Sequence, residues 1–390
     1  MGKPENLATA ASALRQAHVS CDHPAPVQEL RAALGQGDFA LILLFVSPMA
    51  DFQAIVSEAQ TCFTGAHIVA CTTAGEISEK GYTEGEIVAA ALPADLFAVT
   101  TLVLPDLGNI VPQQVFGDLI RARAALAQAA ESMPHEFAFL AVDGMSLRED
   151  ELMSALSPGL GAMPLFGGSA GDGVRFEQAF VACNGKSYRD AAVLTLVRSH
   201  CRVKVFSLDH LVPSTTRMVV TSADPSRRLV HEINAEPAAR EYARLLGKDP
   251  EQLDTFTFAA HPVVVKVGGR HHVRAIQRVV DKTDLVFFSA IDEGLVLTLA
   301  NPEDLATHLD RELTAMAESG PLEGILVCDC ILRRVEAQQS QQTARISEIL
   351  RRNRVVGFGT YGEQSDAKHV NQTMTGVAIY RPDPEPEPQD

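Results

Sequence analysis

Residues 71–76 read Cys-Thr-Thr-Ala-Gly-Glu, and residues 358–363 read Phe-Gly-Thr-Tyr-Gly-Glu. Both contain Thr-x-Gly-Glu. Each follows a short apolar run, His67-Ile68-Val69-Ala70 in the first case and Val355-Val356 in the second. An apolar run ending in small, hydroxyl-bearing, Gly and acidic residues reads as a buried strand leaving its sheet into a loop. Loops at strand ends are where open α/β sheets bind ligands. The pair predicts two related halves with a comparable strand-end loop on each. The alternative is two ordinary turns that coincide by chance.

Working outward, strand and helix patterns alternate. The first half reads as a strand over 39–46, a helix over 51–62 and a strand over 67–71. Residues 86–92 and 97–104 read as neighbouring strands of a meander. Pro112 opens an Ala-rich helix running to 133, as suits Pro at a helix start. A strand at 137–142 and a helix at 148–156 lead to a Gly-rich loop at 167–173. Strands at 176–182 and 191–197 flank Asn184-Gly185, a hairpin signal. The second half starts after the polar turn at 222–228. It reads as a helix from Pro237 to Gly247, a hairpin at Gly268-Gly269, and a helix from Asn301-Pro302 to 319. A strand at 322–329, an amphipathic helix at 336–353 and strands at 355–359 and 373–380 follow. Residues 1–26 are loosely patterned, and the Pro/Glu-rich tail 381–390 reads as disordered. The fold class is α/β, with mixed sheets and helices.

With 390 residues and 46 % hydrophobic content, the chain can build two domains around a sizeable core. Its 49 acidic residues outweigh 33 basic ones, a net charge of −16 that disfavours nucleic acid and anionic membrane surfaces as partners. The basic cluster Arg351-Arg352-Asn353-Arg354 suits the end of a helix. The opening Met-Gly-Lys-Pro-Glu-Asn lacks an apolar signal core, and no apolar run is long enough to span a bilayer. Seven scattered cysteines point to a reducing compartment, so a cytoplasmic location is expected.

Four phrases now stand in order: Cys71-Thr72-Thr73-Ala74-Gly75-Glu76-Ile77, Pro164 to Asp172, Cys328-Asp329-Cys330-Ile331-Leu332-Arg333-Arg334, and Val356 to Glu363. Together they resemble the FIST family of sensory proteins, over residues 28 to 380. The resemblance implies a lead-in at 1–27, an N-terminal unit at 28–224, a C-terminal unit at 225–380 and a tail at 381–390. It implies a small-ligand sensor for signal transduction. Some members resemble haem proteins that sense nitric oxide and regulate a histidine kinase in a two-component system. Haem b and a separate histidine kinase are therefore expected here, with a homo-oligomer open. Gln364 departs from the hydrophobic residue often found after Gly-Glu.

The candidate ligand-binding residues are Thr72, Thr73, Gly75, Glu76, Gly167, Gly168, Ser169, Gly171, Asp172, Cys330, Arg333, Thr360, Tyr361, Gly362 and Glu363. The glycines let backbone N–H groups approach an anion or carboxylate. Asp172 holds an ammonium group or caps a turn. Glu76 and Glu363 form an acid/base pair only if they face each other. Arg333 pairs with a ligand carboxylate or with a motif glutamate. Haem needs an axial residue in an apolar pocket. His369 is the first candidate, with His271, His272 and His261 as alternatives. Two further readings stay open. One is a metal-free sensor of an organic ligand such as an amino acid. The other is an enzyme with a reactive Cys330, although no hydrolase, metalloprotease or dinucleotide motif is present.

Overall fold

The run Phe39–Val46 is buried along almost its whole length, as a parallel strand covered on both faces requires. In the computed structural model, which describes residues 12–267 and 269–382, this strand belongs to the first of three copies of one pattern. The first copy runs β1 (Arg15–Ser20), α1 (Pro26–Leu34), β2 (Phe39–Val46), α2 (Phe52–Cys62), β3 (His67–Thr72), a hairpin of β4 (Glu76–Ser78) and β5 (Gly81–Thr83), and β6 (Glu86–Pro93). The second runs β7 (Phe97–Pro105), α3 (Pro112–Ala129), β8 (His135–Asp143), α4 (Glu149–Leu160), β9 (Leu165–Ala170), a hairpin of β10 (Val181–Cys183) and β11 (Lys186–Tyr188), and β12 (Ala191–Ser199).

The third copy opens with β13 (Val203–Leu208) and is then interrupted by an insertion. The insertion contains β14 (Leu211–Asp224), β15 (Leu229–Ile233), β16 (Glu236–Pro237), α5 (Ala238–Leu246) and α6 (Thr255–Ala260). It continues with β17 (Val263–Val267), β18 (Arg270–Val273), β19 (Ile276–Val280), β20 (Asp284–Phe287) and β21 (Val296–Pro302). These strands form an antiparallel sheet of their own. The third copy then resumes with α7 (Leu305–Glu318), β22 (Leu322–Cys330), α8 (Ile331–Gln339), α9 (Thr343–Arg352) and β23 (Val355–Thr360). It ends with a hairpin of β24 (Glu363–Ser365) and β25 (Lys368–Val370), and β26 (Met374–Tyr380).

The copies do not close their own sheets. The strand orders are β1-β6-β2-β3-β10-β11, β7-β12-β8-β9-β24-β25 and β13-β26-β22-β23-β4-β5. Each hairpin therefore extends a different copy's sheet: β4–β5 beside β23, β24–β25 beside β9, and β10–β11 beside β3. The three sheets turn their inner faces to a shared core that includes Phe45, Cys71, Phe139, Phe166, Cys328 and Phe358. Phe45 and Phe358, from different copies, stack with centroids 4.6 Å apart. Helices cover the outer faces: α1 and α2 through Leu30 and Val56, α3 and α4 through Leu119 and Leu156, α7 and α9 through Leu309 and Leu350.

The mixed α/β architecture agrees with the sequence reading. The relation between the two Thr-x-Gly-Glu phrases extends to a third member. Thr73-Ala74-Gly75-Glu76, Ser169-Ala170-Gly171-Asp172 and Thr360-Tyr361-Gly362-Glu363 all occupy the exit from the second parallel strand of their copy.

Several expected elements change. The 86–92 and 97–104 strands exist but belong to different sheets, so they are no meander. Of the expected strand 176–182 only its last two residues are strand, in β10 (Val181–Cys183); Asn184 and Gly185, at φ 47° and 83°, turn it into β11 as the hairpin signal requires. The 336–353 helix is two helices. Gln341 takes φ 58° and reverses the chain between α8 and α9. Asn301-Pro302 ends β21, and Asp304 caps α7 by accepting from the Thr307 N–H at 2.8 Å. The loosely patterned lead-in contributes β1, which pairs with β6. Gly268, most of the tail and residues 1–11 lie outside the described residues.

Candidate functional site

The exchange of hairpins brings the three strand-end loops into one interlocked ring. The Gly171 and Gly173 N–H groups donate to the carbonyls of Thr72 and Thr73 at 3.2 and 3.1 Å. The Ala74 N–H donates to Gly359 O at 2.8 Å. The Tyr361 N–H donates to Ser169 O at 3.0 Å, and the Ser169 N–H to Gly362 O at 2.8 Å. The predicted residues are thus gathered, but mostly as buried scaffold.

The motif acids act locally. Thr73 donates to Glu76 and Thr360 donates to Glu363, the latter at 2.5 Å. The second oxygen of Glu76 accepts the Glu86 N–H at 3.2 Å. That of Glu363 accepts the Thr373 N–H at 3.2 Å and its hydroxyl at 2.8 Å. Each acid ties its loop to the strand returning from its hairpin, and the two do not bond to each other. Both are fully buried, and burial outweighs these donors: Glu76 is pushed up to about 7 and Glu363 to about 8.

The middle copy differs. Ser169 Oγ donates to Glu149 at 3.2 Å. Asp172 accepts the N–H groups of Phe176, Glu177 and Gln178 at 2.8, 3.1 and 3.1 Å, so it folds a longer loop before β10. The Tyr361 hydroxyl also donates to Asp172. Gly167 and Gly168 lie inside β9, not in the loop. A Cβ on Gly168 would strike Thr360 and Cys328 of the facing sheet. Each motif glycine is overlain by a side chain: Arg334 on Gly75, Tyr361 on Gly171 and His369 on Gly362.

Arg333 is buried and pairs with Asp329 at 2.7 Å, not with a motif glutamate. Its Nη1 lies 3.2 Å from His210 Nδ1. Cys330 is buried, and burial pushes its thiol up. A nucleophile needs the opposite.

Three cavities surround the ring. The first, about 290 Å³, is lined by Gly75, Glu76 and Asp172 of the predicted set, together with Met49, Val174, Ile331, Arg334 and Val335. The second, about 320 Å³, meets Tyr361, Phe176, Phe288, Arg228 and Arg278. The third, about 280 Å³, meets Thr72 and Asp172 beside Phe52 and Phe180. Thr73, Gly167, Gly168, Ser169, Gly171, Thr360, Gly362, Glu363, Cys330 and Arg333 line none of the three.

Arg334 was not singled out in the sequence. Helix α8 presents Ile331, Arg334, Val335 and Gln338, a spacing of i, i+3, i+4 and i+7, to the first cavity. Arg334 Nη2 donates to Thr83 O at 2.9 Å and Glu84 Oε1 at 3.1 Å. Its Nε and Nη1 are buried without a partner. Helical periodicity alone separates the two neighbouring arginines, and the sequence signal was the onset of α8 directly after β22.

The histidines offer no haem crevice as they are packed. His369 is buried with Nδ1 3.3 Å from Gln364 Nε2, and its unpartnered Nε2 lies against Gly362. His261 is half-buried at the end of α6. His271 and His272 line a polar cavity of about 330 Å³ shared with Lys368 and Asp366. No cluster of three metal-ligating side chains occurs among the described residues. The residues present do not fit haem b without rearrangement.

Family models for the FIST N domain and the FIST C domain match residues 40–236 and 238–366. The chain belongs to the FIST sensory family. A comparison with curated proteins returned no match. The FIST N match spans most of the first copy, the whole second copy and the start of the insertion. The FIST C match takes in the rest of the insertion and most of the third copy. FIST units and structural copies are therefore different divisions of the chain, and the sensory assignment belongs to the assembly of both. No helix among the described residues is long and apolar enough to cross a membrane.

Proposed function

We propose that this FIST protein senses a small organic acid, an amino acid included, bound in the Arg334 cleft, without a metal. One observation carries the reading. Arg334 is 8 % exposed, and its Nε and Nη1 lie unpartnered beside a cavity of about 290 Å³. The two free donors lie on different edges of the guanidinium, so each offers a carboxylate a single charge-assisted hydrogen bond. Met49, Ile331 and Val335 supply apolar wall for a short aliphatic body. The cleft is walled by loops of the first two copies and by α8 of the third, so an occupant bears on packing between them. A partner that distinguishes the two packings, such as a histidine kinase, reads the signal. Calorimetric titration with short fatty acids and free amino acids tests this. Saturable binding that Arg334→Gln abolishes is the expected result. Binding that survives in Arg334→Gln overturns it.

A second reading, haem b with nitric oxide as the signal, is favoured by the buried unpartnered Nε2 of His369. It requires Gly362 to move off the imidazole. Titration with haem decides it: a saturating Soret band lost in His369→Ala supports it, and its absence leaves the organic-acid reading alone.

A further inference from the structure

The second cavity has a chemistry of its own. It lies between the β8–α4 connection, the loop folded by Asp172 and the inserted sheet, and has a volume of about 320 Å³. Three aromatic rings gather on one side. Phe176 lies 4.6 Å from Tyr361 and 5.6 Å from Phe288 between centroids, and Phe288 lies 6.3 Å from Tyr361. Phe176 takes φ 56°, unusual for a bulky side chain, and the Asp172 carboxylate holds its N–H at 2.8 Å. The loop is thus folded to present this ring.

The polar lining is cationic. Arg227, Arg228 and Arg278 stand against one carboxylate, Glu149. Arg228 is buried and bonds Glu149 at 2.6 Å. Arg227 and Arg278 are exposed at the mouth and form no ion pair among the described residues. In a chain of net charge −16, three arginines against one lining carboxylate, over an aromatic wall, select against a cationic guest, although aromatic rings alone would attract one. A flat aromatic body meets the rings by offset or edge contact, and an attached anion meets the guanidinium groups at the mouth.

We propose that this cavity is a second ligand site and that it takes an aromatic acid. The site shares no lining residue with the Arg334 cleft. The two adjoin through Tyr361, whose ring lines the aromatic cavity while its hydroxyl holds Asp172, at the edge of the cleft.

The test is calorimetric titration of the full chain with 4-hydroxybenzoate and indole-3-acetate. Cyclohexanecarboxylate serves as the non-aromatic acid and benzyltrimethylammonium as the aromatic cation. Saturable binding of an aromatic acid is expected, weakened roughly tenfold by Arg278→Gln and by Phe288→Leu and unchanged by Arg334→Gln. Arg278 is exposed, so its variant reads out even where Phe288→Leu disturbs folding. Absence of saturable binding up to millimolar probe, tighter binding of the cation, or binding unmoved by Arg278→Gln each overturns the proposal. Loss confined to Arg334→Gln also overturns it, because the acid would then sit in the other cleft.

Discussion

Tyr361 donates its hydroxyl hydrogen to the carboxylate of Asp172, 189 positions earlier and in a different structural copy. The same hydroxyl oxygen accepts the Asp172 N–H at 3.0 Å. Asp172 in turn holds three successive backbone N–H groups of its own loop. One buried contact therefore joins the exit of β23 to the loop that walls both ligand cavities.

Tyr361→Phe removes that hydroxyl and keeps the ring. Asp172 retains its backbone donors, so the loop persists but loosens, at a stability cost of about 1–3 kcal/mol. In the native protein, filling the aromatic cavity changes acid affinity at Arg334, and in Tyr361→Phe this linkage disappears. Paired titrations, each ligand with and without the other, measure it. Linkage of equal size in the variant would remove the role assigned to this hydrogen bond.

The neighbouring arginines give opposite phenotypes. Arg333→Gln leaves Asp329 buried beside a neutral amide and destabilises the fold by about 3–5 kcal/mol. Arg334→Gln folds normally but loses the organic acid. Denaturant titration together with calorimetry separates the two. Similar stability loss in both variants would contradict the distinction.

The motif glutamates make stability fall as pH rises. Glu76 and Glu363 have folded values of about 7 and about 8, above the usual carboxylate range. The folded state therefore holds more protons than the unfolded state between that range and pH 8. Their contribution is complete below the unfolded value and is lost as pH climbs through the folded values. At about 1.4 kcal/mol per pH unit for each group still protonated in the fold, a decline of roughly 4–7 kcal/mol from pH 5 to pH 8 is expected. In Glu363→Gln, whose amide mimics the neutral acid, the decline is shallower. Thermal unfolding across this pH range reads the effect, and a stability that rises through it would refute the assignment.

Cysteine reactivity follows burial. Cys21 and Cys62 are partly exposed, whereas Cys330 is fully buried with its thiol raised. Iodoacetamide should modify Cys21 and Cys62 first and reach Cys330 only on unfolding. Peptide mapping after timed labelling checks this. Rapid modification of Cys330 in the folded protein would restore the enzyme reading.

Apolar strands such as Phe39–Val46 and Leu322–Cys330 were legible because parallel strands buried on both faces leave continuous hydrophobic runs. The Asn184-Gly185 turn was legible because both positions need positive φ. β1 was missed: Arg15–Ser20 is a short edge strand with a weak alternating pattern. The single helix expected over 336–353 missed the reversal at Gln341, a residue type that carries no turn signal. The third motif copy went unrecognised because Ser and Asp replace Thr and Glu in Ser169-Ala170-Gly171-Asp172, and its loop is longer.

By itself the sequence determined which segments become buried strands and helices, where the strand-end loops fall, and that two of those loops share a motif. These are local properties, set by hydrophobic periodicity and by the backbone demands of Gly and turn residues. Only the tertiary structure decided that each hairpin completes another copy's sheet, that the motif glutamates are buried ties, and that Arg334 faces a cleft while Arg333 faces Asp329. Strand partners are chosen by contacts between segments hundreds of residues apart. The rotation of α8 is likewise set by what packs against it, so neither choice is written in the local pattern.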